Sequence, residues 1–204
     1  MSESRPRDAV SVVRLPGGSD VTFSDIAAIA HDAEQAGASA VVAGLAADGG
    51  FEPFTLLGAL STTTSTIRLL AAVDPLTDPP YTVARKATSL QHLSGGRAGV
   101  LVLGDGDGDA DGGGDVDAGE DAAGSAVADE FVAILHALWS AEEPDGIPRD
   151  RERGVYLRPG GRPAVNHVGQ HFSVAGPLNI SRASQGSPAV YRGGLIGAVQ
   201  EDDA

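Results

Sequence analysis

The chain has 204 residues, 42% of them apolar, which is enough for one domain with a hydrophobic core. Its 28 acidic against 14 basic side chains leave a net charge of −14, a field that repels a phosphate backbone, and the Lys and Arg residues are scattered, so no nucleic-acid partner is expected. No Cys is present for a disulfide or thiolate metal site, the opening MSESRPRDAV lacks the apolar core of a signal peptide, and the apolar runs fall far short of the ~20 residues that span a bilayer; a soluble, cytoplasmic chain with no membrane partner is expected.

The first apolar run, Val10–Arg14, reads as a strand. Ser24 then reads as the N-cap of a helix that carries Ile26, Ile29, Ala30 and Ala33 on one face and stops at Gly37. A second strand, Ala40–Leu45, precedes a helix opened by Pro53 at its first position, with Leu56, Leu57 and Leu60 on one side. The third strand is Ile67–Val73, and the third helix opens at Pro79–Pro80, carries Val83, Ala84, Ala87 and Leu90, and stops at Gly95–Gly96. The fourth strand is Ala98–Leu103. All four runs are apolar on both faces, as buried parallel strands are.

Residues 104–124, GDGDGDADGGGDVDAGEDAAG, hold seven Asp and Glu120, no base, and Val116 as the one bulky apolar side chain. Such a segment has nothing to bury against its ordering entropy and reads as a flexible acidic loop inserted in a single domain over 1–204. Removing its eight charges from −14 leaves −6, so the extreme charge belongs to the loop. Phe131, Ile134, Leu135 and Leu138 then mark a fourth helix. Residues 144–187, rich in Pro, Gly and Arg, read as an irregular excursion with a possible hairpin around HFSV at 171–174, and Pro188–Arg192 as a fifth strand.

Repeated βα units predict a parallel α/β sheet with right-handed crossovers. A closed barrel of this kind takes ~250 residues, and about five units fit here, so arithmetic leaves an open doubly wound sheet or an incomplete barrel.

Residues 51–104, FEPFTLLGALSTTTSTIRLLAAVDPLTDPPYTVARKATSLQHLSGGRAGVLVLG, resemble the bacterial luciferase-like flavin monooxygenases, in the nitrilotriacetate and long-chain alkane monooxygenase branch. The segment DAEQAGASAVVAGLA at 32–46, and that from ADEFVAILHALW through NHVGQHFSVAGPLNISRASQGSPAV, agree in order and spacing. The compound signature is PYxxAR, then LxHLSGGR, then HFxVxGPLNxxRxxQG. The resemblance implies a TIM-like (β/α)8 barrel that binds reduced FMN at the C-terminal ends of its strands, here incomplete at about five βα units.

Carried over residue by residue, Tyr81, Arg85, His92, Leu93, Ser94, Gly95, Gly96 and Arg97 match the family's third helix and the turn into strand four, where they are mostly scaffold. Tyr81, Arg85 and His92 remain the candidates for flavin contact, with Arg192 as a charge partner for the phosphate. Where the family carries polar flavin contacts after strand four, this chain has Val100, Leu101, Leu103 and Gly104. Ala72 stands where a Thr is expected, Ser125 and Val127 where a Tyr and an Arg are, and Ile196 where a Ser holds the FMN phosphate. The resemblance thus implies FMN binding that is weak or absent. No catalytic acid or base is assigned.

Several motifs are set aside. His167 and His171 are four apart, yet Gly169 and the surrounding β pattern deny them the helix on which that spacing converges. Asp107, Asp109, Asp111 and Gly112 start like a calcium loop, but Ala118 occupies the position that needs a bidentate Glu. No metal site is expected. His31 and His136 read as surface or packing residues and Trp139 as packing; Gly17–Gly18 and Gly193–Gly194 are too short for phosphate loops.

Three functional readings follow. A degenerate relative that acts as a binding or interaction module, as a homodimer or beside a full-length homologue, is favoured by the replaced positions. An active two-component FMNH2-dependent monooxygenase, supplied by a flavin reductase and acting on a small organic substrate, is the alternative. A fragment without function is the third.

Overall fold

The computed structural model describes residues 11–44, 50–104, 121–143, 145–192 and 200–201. The chain alternates β1 (Val12–Arg14), α1 (Phe23–Gln35), β2 (Ala40–Ala43), α2 (Pro53–Leu60), β3 (Arg68–Val73), α3 (Pro80–Ser94), β4 (Ala98–Val102) and α4 (Asp121–Ser140). It then makes a small antiparallel pair, β5 (Asn166–Val168) with β6 (Ser173–Ala175), before β7 (Ala189–Arg192) and β8 (Gln200–Glu201).

Each helix start has a local cause. α1 is capped by Thr22, not by the expected Ser24: the Thr22 hydroxyl accepts the Asp25 amide at 3.3 Å, and the Asp25 carboxylate accepts the Thr22 amide at 3.2 Å. This reciprocal box needs an acid three residues after the cap, and Ser24 would have Ala27 there. In α2, Pro53 takes the first position while Glu52 accepts the Thr55 amide at 2.8 Å. α3 ends on Gly95 at φ 66°, a left-handed cap whose amide bonds the Gln91 carbonyl.

The sheet order is β1-β2-β3-β4-β7-β8, with the first five strands parallel in sequence order and β8 antiparallel on the outside of β7. Five of these strands match runs expected from the sequence; the sixth, β8, has two residues, too few to show an alternation. An unbroken order decides between the two architectures left open above. A doubly wound sheet reverses its strand order once and so covers both faces with helices, whereas here the order never reverses.

Burial shows the same thing. Val41, Ala43, Leu69, Ala71, Val73, Val100, Val102 and Val190 point to one face, where they pack with α1 to α4 in two contiguous clusters. Ala40, Val42, Leu70, Ala72, Leu101 and Tyr191 point to the other and form a cluster without a helical residue. The molecule is therefore a singly wound arc of barrel, helices outside and a helix-free face within. No described helix is long and apolar enough to cross a membrane.

Candidate functional site

In a parallel α/β barrel, chemistry gathers where the strands point their C-terminal ends, so the upper half of the helix-free face is the candidate site. β3 contributes Leu70 and Ala72 to it, β4 contributes Leu101, and Leu103 follows on the same side. Leu70 and Leu101 are fully buried and Ala72 nearly so. Three of the replaced positions, Ala72, Leu101 and Leu103, thus come together in one apolar wall with Val42. One polar pair on this face lies at the opposite end of the strands. There the Arg68 guanidinium donates to the Tyr191 hydroxyl and stands 5.8 Å from the centre of its ring.

The expected flavin contacts lie elsewhere. The Tyr81 hydroxyl accepts the Asn179 amide at 3.2 Å and faces the Pro177 carbonyl at 3.4 Å, Arg85 Nε donates to Asn179 Oδ1 at 2.7 Å, and His92 Nε2 meets the Ser181 carbonyl at 2.9 Å. All three hold the 177–181 segment against the outside of α3. Because α3 returns from the top of β3 to the foot of β4, His92 lies about three turns below Tyr81. Arg192 leaves β7 on the helix side, as its neighbour Val190 does, and pairs with Asp129 of α4 at 2.6 Å. Ser125 falls in the opening turns of α4. Ile196 and residues 105–120 of the acidic run lie outside the described residues, as do Gly193–Gly194.

The long signature is a set of clamps. Arg97 spends its guanidinium on Ser61, Thr64, Ile67 and Ser94 at 2.9–3.1 Å, stitching the turn before β3 to the end of α3; burial lowers its pKa from the usual value. Gln91 donates to the carbonyls of Gly186 and Ser187 and accepts the Ala98 amide, so it ties the SQGS segment to β4. A Cβ on Gly96 would stand 3.0 Å from the Gln185 side chain, which explains the second glycine of the pair. Trp139 Nε1 donates to the Ala84 carbonyl and packs α4 on α3.

Glu130 of α4 receives the β5–β6 pair: its carboxylate accepts His167 Nε2 at 2.8 Å and the amides of His171 and Phe172 at 2.9 and 3.0 Å. The His167 bond, followed by the two amides, lowers its pKa from 4.5 to about 2. Glu34 does the same below the sheet, where the amides of Thr66, Ile67 and Ser65 converge on it and likewise lower it to about 2. Both carboxylates are structural anchors.

One residue escaped the sequence reading. Arg14 is in register with Val42, hence on the helix-free face at the top of β1; it is exposed and has no hydrogen bond or ion pair among the described residues. The signal was present, since a charged residue closes an otherwise apolar strand two positions after Val12 on the same face.

The chain matches the sequence model of the luciferase-like monooxygenase family over residues 9–199, and it belongs to that family. It is 39% identical over 148 residues to the N-acetyl-S-(2-succino)cysteine monooxygenase of Bacillus subtilis (strain 168), covering 72% of this chain and 34% of that protein. It is 37% identical over 144 residues to nitrilotriacetate monooxygenase component A of Aminobacter aminovorans, covering 70% and 32%. The chain therefore spans about a third of the length of these two relatives. Among solved structures, it superposes on a long-chain alkane monooxygenase with a TM-score of 0.66 at 21% identity, over 92% of this chain and 50% of that one. The fold is that of the luciferase-like barrel, present here as five parallel βα strands.

Proposed function

We propose that this chain is a luciferase-like arc of barrel that serves as a binding or interaction module and holds FMN weakly at best, without monooxygenase competence of its own. The observation that carries this reading is the single apolar wall made by Ala72, Leu101 and Leu103 with Val42 and Leu70. A flavin ring presents several N–H and C=O groups, and each one buried against such a wall without a partner costs about 1–3 kcal/mol. The described residues do not fit the ring. Arg192, expected to meet the phosphate, is drawn to the helix side by Asp129. Arg14 offers one exposed charge at the top of the face, a basis for loose attraction of an anion but not for recognition of a ring.

The active two-component monooxygenase, with FMNH2 delivered by a reductase, is the second reading, and family membership is what favours it. Titration of FMN fluorescence with the protein separates the two. High-micromolar affinity that tightens in Leu103→Asn, a half-buried site that tolerates an amide, supports the module. Submicromolar affinity in the unmodified chain, with oxygenation once a reductase is supplied, makes it an enzyme.

A further inference from the structure

A second concavity lies outside the apolar wall, between the turn that follows β3 and the β5–β6 pair. It is a cleft of about 400 Å³, open to solvent and within the usual size of small-molecule sites. Both walls are fixed without a ligand. On one side Asp74 ties its own turn, its carboxylate accepting the Leu76 amide at 2.8 Å and the Thr77 hydroxyl at 3.2 Å, while its amide bonds Asp78 Oδ2 at 2.9 Å. On the other side, Glu130 pins the hairpin through the three bonds given above.

The lining has a definite chemical bias. Leu76, Pro79 and Phe172 give it an apolar body, and Leu76 is 68% exposed on a turn whose bonds hold it outward. Asp78 is the one acid of the lining, no Lys or Arg belongs to it, and His171 stands there as well. Asp78 Oδ2 accepts the Asp74 amide, but Oδ1 accepts nothing among the described residues. Lys86, the cation whose field reaches Asp78, is itself held by Glu52 at 3.0 Å. The free oxygen of a half-buried Asp, given no donor by the described residues and set in an apolar cleft without Lys or Arg, suits a ligand that brings a cationic donor on a hydrocarbon body.

We propose that this cleft binds small organic amines, their ammonium on Asp78 Oδ1 and their apolar part against Leu76 and Phe172. The site is independent of the flavin wall, and its test does not involve a flavin.

The experiment is calorimetric titration of the whole chain at neutral pH with octylamine, octanol and octanoate. Octylamine is expected to bind about tenfold more tightly than octanol, the usual gain from a charge-assisted hydrogen bond, and octanoate more weakly than either. Asp78→Asn keeps a carbonyl oxygen for the Asp74 amide and should bring octylamine down to the octanol level. Leu76→Ala, on an exposed side chain, should weaken octylamine and octanol alike. Octanoate binding as well as octylamine, octylamine binding that ignores Asp78→Asn, or no octylamine binding at millimolar concentration would each overturn the proposal.

Discussion

At the scale of single residues, the polar side chains of the turn into β4, read from the sequence as scaffold, are spent on architecture. Arg97 is the clearest: five bonds to four residues leave its guanidinium nothing to offer a ligand. Arg97→Ala would strand several carbonyls of the turn before β3, and a loss of about 3 kcal/mol or more is expected in denaturant unfolding. Arg97→Lys should recover only part of it, because an ammonium cannot span the same fork. Gly99 sits where Leu70 and Tyr191 meet on the helix-free face, and a Cβ there would lie 2.5 Å from Leu70 Cδ2. Gly99→Ala should therefore cost about 1–3 kcal/mol by overpacking. Had the face been loosely packed, the same change would be neutral or stabilising.

At the scale of elements, two carboxylates attach the parts. Glu34 and Glu130 both have folded pKa values of about 2 against an ordinary 4.5. A depressed folded pKa means that the unfolded chain binds the proton first, so their contribution is present above about pH 4.5 and is lost as pH falls through about 2. Amide exchange should show protection at His171 and Phe172 declining through that window. Glu130→Gln should lower their protection already at neutral pH, while the β3 amides stay protected. Loss of both sets together would mean that the hairpin does not separate from the sheet.

The strands and helices of this layout were legible because each buried run and each Pro or Gly boundary carries a local signal. What the clamps do was not. Tyr81, Arg85 and His92 sit on one helix, but Pro177, Asn179 and Ser181, which they hold, come about 90 residues later, and spacing alone does not pair them. The side taken by Arg192 was open for the same reason. A residue at the end of a strand chooses its face by parity, and parity is fixed only once the register with β4 is known.

At the scale of the whole molecule, the arc of barrel formed by the described residues has edges. β1 pairs with β2 along one side, and residues 11, 13 and 15 turn their backbone groups toward β2, as the Ser11 carbonyl and Leu15 amide show. The groups of Val12 and Arg14 consequently face away from β2, where no described strand pairs with them and they can template another. Association that grows with concentration is expected by light scattering, and Val12→Pro should reduce it, since the proline removes an outward amide and spares the β2 ladder. Unchanged association in Val12→Pro would place the contact elsewhere.

The same arc presents the apolar wall on which the proposal of weak flavin binding rests. Its most direct check is the absorption spectrum of the protein after incubation with excess FMN and passage through a desalting column. A colourless protein is predicted, because Ala72, Leu101 and Leu103 offer the ring no partner. A visible flavin band at one equivalent per chain would contradict it.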